Sequence, residues 1–287
     1  MLQLLPNFGL GWRRIRVGMA RKFAVLGSPI EHSKSPQIHS AAYQVLGLDW
    51  SYSRFEVKAQ ELEPFLNAHS DFDGFSLTMP LKERALELAD KSNEDANLTG
   101  VANTLLRVDD GWSAFNTDVF GIEQALGQLE ISAIREIALY GSGATARSAV
   151  VACSRLFPGS TLVIHARNRE AASELSAFAR QLDLEARLAE VRDQTAPDLT
   201  ISTLPPGVWA SLATKPLPSG VLFDVAYNPW PSVAATEWQQ KGFETISGIQ
   251  MLIWQAIAQI RIFMSGSTEI RLDDEAGLVA VMLNASK

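Results

Sequence analysis

The sequence predicts an α/β protein of two domains, one of them built on a doubly wound parallel sheet. Three observations carry that reading. Short apolar strands alternate with helical patterns along most of the 287 residues, as in chains whose parallel strands are joined by helical crossovers. Near the middle, Ile137-Ala138-Leu139-Tyr140 reads as a buried strand that runs into Gly141-Ser142-Gly143 and then into small residues, Ala144-Thr145-Ala146, which let a helix start close against the strand. A chain of this length is expected to form two domains. Residues 1–19 are expected to form an extension.

The elements follow in order. Residues 22–27 form a short apolar strand ending in glycine, and Ser35-Pro36 then starts a helix whose apolar face is Ile38, Ala41, Ala42, Val45 and Leu46. Ser35 reads as an N-cap; with Ser33 it also makes a hydroxyl-lined receptor for a carboxylate at a helix N-terminus. Residues 51–57 read as a second strand and 59–68 as a helix. A third strand ends near Thr78, and Pro80 opens the next helix, with Lys82 in its first turn. A cation there works against the helix dipole, so it is either a lysine that swings into solvent or an ammonium held in a site. Residues 100–120 look like a hairpin turning at Asp109-Asp110-Gly111, with Asn103 and Asn116-Thr117-Asp118 near its open end. Asp118 reads as an N-cap for a helix at 119–129.

The glycine turn is next. It suits a phosphate: glycines admit the anion, and the new helix offers free N–H groups and the positive end of its dipole, so Gly141, Ser142, Gly143 and Ala144 are the candidate cradle. After the following strand, Thr161 to His165, come Arg167 and Arg169 and no acid. NAD recognition would want an acid there for the ribose hydroxyls, whereas arginine suits a 2′-phosphate, so NADP is the expected cofactor with Arg167 reading it. Further strands at 199–202 and 221–225 complete a Rossmann-like sheet, and helices at about 248–264 and 273–284 close the chain.

Composition excludes several classes. A formal net charge of −7 supplies no basic face for nucleic acid. The single cysteine, Cys153, permits no internal disulfide and reads as a small buried hydrophobe. The histidines, at 32, 39, 69 and 165, lack ligand-like spacing, so no metal site is expected. The most apolar stretch, around 249–260, is interrupted by Gln250, Gln255 and Gln259 and falls short of the ~18 residues of a membrane span. Residues 1–18 place apolar residues ahead of Arg13, Arg14 and Arg16, the reverse of an export signal. A cytoplasmic protein acting on a small molecule as a monomer or homodimer is expected.

Seven segments, taken together, resemble the shikimate dehydrogenase family from about residue 22 to 265. They are Gly-Ser-Pro-Ile-Glu-His-Ser-Lys-Ser-Pro-Gln-Ile-His (27–39), Phe-Ser-Leu-Thr-Met-Pro-Leu-Lys (75–82), Ala-Asn-Thr-Leu (102–105), Asn-Thr-Asp (116–118), Gly-Ser-Gly-Ala-Thr-Ala (141–146), Asp-Val-Ala-Tyr-Asn-Pro (224–229) and Ser-Gly-Ile-Gln-Met-Leu-Ile-Trp-Gln (247–255). The resemblance implies NADPH-linked reduction of 3-dehydroshikimate to shikimate, a step of aromatic biosynthesis, in a cleft between a substrate domain that is discontinuous in sequence, residues 20–117 with 248–287, and a nucleotide domain, residues 118–247. It also implies roles. Ser33, Ser35 and Tyr227 would hold the substrate carboxylate, and Thr78, Asn103 and Gln255 would bind hydroxyls or support the pocket. Lys82 and Asp118 would be the catalytic pair, and Gly248 would lie at the cofactor. Ser76 stands where the family commonly has asparagine, Ser40 also replaces a frequent asparagine, Val119 a usual glycine, and Ser202-Thr203-Leu204-Pro205-Pro206-Gly207 an Asn-Ala-Thr-rich loop. The alternatives are a quinate/shikimate dehydrogenase with relaxed substrate or NAD use, disfavoured by the missing acid after residue 165, and a non-catalytic metabolite sensor, which would have no need of the Lys82 and Asp118 pair.

Overall fold

Two six-stranded sheets organise the chain, in a computed structural model that describes residues 20–109, 111–129, 134–190, 196–212 and 215–287. The extension expected at 1–19 lies outside the described residues, as does Asp110 of the hairpin turn. The first sheet contains β1 (Arg21–Gly27), β2 (Trp50–Glu56), β3 (Gly74–Leu77), β4 (Lys91–Ser92), β5 (Thr104–Val108) and β6 (Gly111–Phe115), in the order β2-β1-β3-β5-β6-β4. β1 runs parallel to β2 and β3, whereas β5 is antiparallel to both β3 and β6. The second sheet is parallel throughout, with β7 (Glu136–Tyr140), β8 (Thr161–His165), β9 (Glu185–Leu188), β10 (Leu199–Ser202), β11 (Val221–Asp224) and β12 (Thr245–Ser247) in the order β12-β11-β10-β7-β8-β9. The chain leaves β7 toward β8 and β9 and returns to its other side as β10. That reversal makes the β7/β10 boundary the switch point at which open α/β sheets bind ligands.

Ten helices among the described residues cover these sheets: α1 (Ser35–Val45), α2 (Leu62–Ala68), α3 (Lys82–Glu87), α4 (Glu94–Thr99), α5 (Asp118–Leu126), α6 (Ala144–Leu156), α7 (Arg169–Gln181), α8 (Val233–Gln239), α9 (Gly248–Ser265) and α10 (Glu275–Ala285). Period-two alternation decides the layers. In β1, Phe23 and Val25 face a core shared with α1, α9 and α10, while Ala24 and Leu26 face α2, α3 and α4. In β7, Ile137 and Leu139 pack against α5, α6 and α7, and Ala138 and Tyr140 against α8. The late helix α9 thus belongs to the first sheet's core through Ile253, Ile257, Ile260 and Phe263, each contributing ~1.5–3 kcal/mol by burial.

Three local expectations are corrected. α1 begins at Ser35 itself, with Lys34 at the N-cap and proline just inside the helix. α3 begins at Lys82, two residues beyond Pro80. Asp118 is the first residue of α5, and its side chain does not cap the helix. The strands β4, β9 and β12 and the helices α4, α7 and α8 were not predicted. Short edge strands of mixed polarity carry too little alternation to announce themselves.

Candidate active site

The end of the first sheet at which β1 and β3 finish also receives the start of β5 and the end of β6. Backbone bonds tie these ends into one rim: Ser28 N donates to Met79 O (3.0 Å), Thr78 N to Leu26 O (2.9 Å), Leu77 N to Asn103 O (2.7 Å) and Asn103 N to Phe115 O (3.0 Å). The start of α3 is tied in as Ala102 N donates to Lys82 O at 2.9 Å. Segments distant in sequence therefore deliver Thr78, Lys82, Asn103 and Asp118 to a single place.

Lys82 Nζ donates to Asp118 Oδ2 at 2.5 Å, with side chains only 12% and 6% exposed. Asn103 Nδ2 donates to the other carboxylate oxygen at 2.7 Å, and Asp118 N donates to Asn116 Oδ1 at 3.0 Å. A cation in the first turn of a helix loses ~0.3–1 kcal/mol to the dipole. Opposite charges in contact gain more, ~4 kcal/mol even at 4 Å and an effective dielectric constant near 20. Lys82 is therefore held in the site and does not swing into solvent. A desolvated ammonium beside a hydrogen-bonded carboxylate can exchange a proton with a reacting oxygen while stabilising its charge.

Gln255, from α9, joins this cluster: its Oε1 accepts from Asn103 Nδ2 (3.4 Å) and from Thr117 Oγ1 (3.4 Å). Ser33 lies on the loop leading out of β1 and Ser35 opens α1, and Ser35 N donates to Ser33 Oγ at 3.3 Å. Lys34 between them donates through Nζ to the carbonyl of Ser286. Tyr227 follows β11 in the second sheet, and burial pushes its phenol up from the ordinary value, which keeps it a neutral donor. Lys34 and Tyr227 line one cavity of about 790 Å³ with Trp230, Ser247, Gln250 and Lys287. Lys82, Asn103, Asp118 and Gln255 are thus brought together by direct hydrogen bonds, the two serines are bonded to each other, and Tyr227 approaches their loop from the opposite sheet.

The second sheet places Gly141, Arg167 and Gly248 at the carboxyl end of its strands, just beyond the last pairs Tyr140–His165 and Asp224–Ser247. Gly141 has φ +116°, and a Cβ there would meet Thr203 Oγ1 at 2.2 Å. At Gly143 a Cβ would project into open space, and the N-terminus of α6 behind it takes no side-chain cap. Ala146, where a third glycine is often found, is fully buried. Ser142 and Ala144 complete the turn, so backbone donors face an uncluttered approach that fits a pyrophosphate. Arg167 is exposed beyond β8. Asn168 caps α7, accepting from Glu170 N (3.1 Å) and Ala171 N (3.2 Å). A Cβ on Gly248 would stand 1.9 Å from Val225 O, so α9 starts against the backbone that leads to Tyr227.

Several polar residues around the site escape a linear reading. Gln259, Ser76, His39, Tyr52 and Thr104 are buried together beneath Gln255. One signal was present: Gln255 and Gln259 stand four apart, on one face of an otherwise apolar helix. Among the described residues, no helix is long and apolar enough to cross a membrane, and no group of three or more His, Cys, Asp or Glu could hold a metal.

Comparison with known proteins fits this geometry. Residues 25–105 match the family described as the shikimate dehydrogenase substrate binding domain. The chain is 32% identical over 268 residues to a shikimate dehydrogenase (NADP(+)) of Prochlorococcus marinus, covering 85% of this chain and 91% of that protein. The crystal structure of Mycobacterium tuberculosis shikimate dehydrogenase aligns with a TM-score of 0.81 and 38% identity, over 92% of this chain and 99% of that one. A Thermus thermophilus shikimate 5-dehydrogenase, solved in complex with NADP(H) and shikimate, aligns with a TM-score of 0.79 and 28% identity, over 92% and 99% respectively.

Proposed function

The chain belongs to the shikimate dehydrogenase family, and from that premise we propose that it reduces 3-dehydroshikimate reversibly to shikimate with NADPH. The observation that carries the reading is the 2.5 Å Lys82–Asp118 pair, on a sheet rim whose loops approach those of a phosphate-cradling second sheet. We assign residues 20–117 with 248–287 to the substrate domain and 118–247 to the cofactor domain; the shared core of α9, α10 and the first sheet supports the discontinuous half. Bound NADPH supplies the hydride, and the rest of the task falls to side chains.

Reduction turns a carbonyl oxygen toward an alkoxide, which needs a proton. Lys82 Nζ delivers it and passes from ammonium to amine, while Asp118 Oδ2 holds that nitrogen in line. In the oxidation direction the same nitrogen takes the hydroxyl proton. Asn103 Nδ2 fixes the carboxylate by donating to Asp118 Oδ1, and Gln255 and Thr78 are assigned to substrate hydroxyls. Ser33, Ser35 and the neutral Tyr227 hydroxyl are assigned to the substrate carboxylate. Gly141, Ser142, Gly143, Ala144 and Gly248 bound the cofactor, with Arg167 at its 2′-phosphate.

The test is to follow cofactor reduction with shikimate or quinate, each with NADP and with NAD. Turnover with shikimate and NADP is expected. Turnover in none of the four combinations removes the enzyme reading, and a preference for quinate with NAD replaces it with the quinate-using alternative.

A further inference from the structure

Beneath the substrate site the polar groups form a chain with a single direction of donation. Tyr52 OH donates to Ser76 Oγ (2.7 Å), and Ser76 Oγ donates to Gln259 Oε1 (2.9 Å). His39 Nε2 lies 3.2 Å from the same oxygen, and its ring stacks on Tyr52 at 4.0 Å. With its carbonyl committed there, the Gln259 amide nitrogen faces the other way. It donates to Gln255 Oε1 (2.7 Å) and to Thr104 Oγ1 (3.2 Å), and Thr104 Oγ1 in turn donates to Asn103 Oδ1 (2.9 Å). Asn103 Oδ1 also accepts from Thr117 N at 2.8 Å. Its amide nitrogen is left to point at Asp118. Gln259 is 1% exposed and Ser76 4%, so solvent cannot substitute for a missing partner in this chain.

An amide side chain has two nearly isosteric orientations that differ only in which end donates. For Gln255 the difference matters, because its Oε1 accepts most closely from Gln259 Nε2 (2.7 Å), with longer contacts from Asn103 Nδ2 and Thr117 Oγ1 (3.4 Å each). Turned over, its nitrogen would face the Gln259 nitrogen, two donors in contact. In the observed orientation Gln255 Oε1 is occupied by the interior, and Nε2 gives one N–H to Leu252 O (3.0 Å) and has a second for a substrate oxygen. We propose that Gln259 is a positioning residue: it touches neither Lys82 nor Asp118, yet its amide selects the donor face that Gln255 presents to substrate. This inference rests on the dehydrogenase reading above. Ser76, at a position where the family commonly has asparagine, is the group that orients Gln259 itself.

The experiment is a double-mutant cycle on the full chain, with Gln259→Met, Gln255→Ala and the pair. Gln259→Met keeps length and volume but removes both polar ends. It is expected to lower kcat/KM for shikimate about tenfold, mainly through the shikimate KM, with the NADP KM within about twofold. In the Gln255→Ala background it should cost little more. A merely structural role would lower kcat through loss of folded enzyme, leave both KM values in place and add fully to Gln255→Ala; that result, or an unchanged shikimate KM, overturns the proposal. Should Gln259→Met not fold, Gln259→Glu replaces it, since its carboxylate repels Gln255 Oε1 and should give the same KM loss. The side-chain NH₂ resonances of Gln255, measured by NMR in wild type and variant, keep the two readings separable. A shift on Gln259 substitution is expected whether or not wild type turns over shikimate, and identical resonances would also overturn the proposal.

Discussion

Lys82 and Asp118 show how two side chains with ordinary local explanations acquire a chemical one. Each sits in the first turn of a short helix, where solvation for the lysine and capping for the aspartate would suffice. Their contact at 2.5 Å replaces both. Lys82→Ala is expected to cut turnover by roughly two orders of magnitude or more with little change in the KM for NADP; steady-state kinetics with both substrates varied checks this, and unchanged turnover would refute the role. Arg167→Ala is expected to weaken NADPH relative to NADH by about 1–3 kcal/mol, as for loss of a charge-assisted hydrogen bond. Titrating both nucleotides decides it, because equal weakening would remove Arg167 from the 2′-phosphate. His39 gives a pH signature. Burial pushes its imidazole down to about 3 against an ordinary 6.5, with the Gln259 hydrogen bond opposing the shift. Between those values the unfolded chain binds a proton that the folded chain does not, so this group's contribution to stability is intact above about pH 6.5 and declines as pH falls toward 3. His39→Gln should flatten the fall of the urea midpoint across that window, and an unaltered slope would mean that other groups set it.

At the scale of elements, two of the glycines proposed to border the cofactor have opposite reasons to be glycine, and substitution separates them. Gly248 begins α9 where a Cβ would lie 1.9 Å from Val225 O, so Gly248→Ala must push a helix off a strand-end backbone, and ~1–3 kcal/mol of stability should be lost. Gly143 has open space before it and an ordinary φ of −89°. Gly143→Ala should leave the denaturation midpoint nearly unchanged while raising the KM for NADP, because the methyl group enters the approach to the α6 N-terminus. A large stability loss at Gly143 would show that the turn is shaped for folding and not for an anion. The beginning of α6 was legible because strand, glycine turn and small residues are contiguous. The beginning of α1 was legible only to within a residue. Ser35-Pro36 announces a helix start, but either Lys34 or Ser35 can occupy the cap, and the Ser33 hydroxyl settles it by accepting from Ser35 N.

At the scale of the molecule, a buried amide joins the two halves two residues from Asp118. Asn116, two residues before Asp118 in the chain, donates through Nδ2 both to Thr99 Oγ1 on α4 (2.9 Å) and to Ser148 Oγ on α6 (3.0 Å). It thereby ties the end of the first sheet that carries the Lys82–Asp118 pair to the helix that starts at the glycine turn. Cys153 lies farther along that helix, and burial pushes its thiol up to about 12, so it should react with alkylating reagents only through unfolding. Its labelling rate should rise in step with urea denaturation and fall when NADP is added, as a ligand that binds the folded state alone requires; fast labelling of native protein would contradict this burial. The sequence by itself determined the parallel second sheet and its glycine turn, because these are written in contiguous residues whose pattern is recognisable alone, and it singled out Lys82 and Asp118 only through the family resemblance. Only the tertiary structure decided that Lys82 faces Asp118 instead of water, that Asp118 is no cap, and that Tyr52, Ser76, Gln259 and Thr104 form one donor chain. Those facts depend on hydrogen bonds between residues up to 183 positions apart, and no local pattern encodes which buried polar groups will meet.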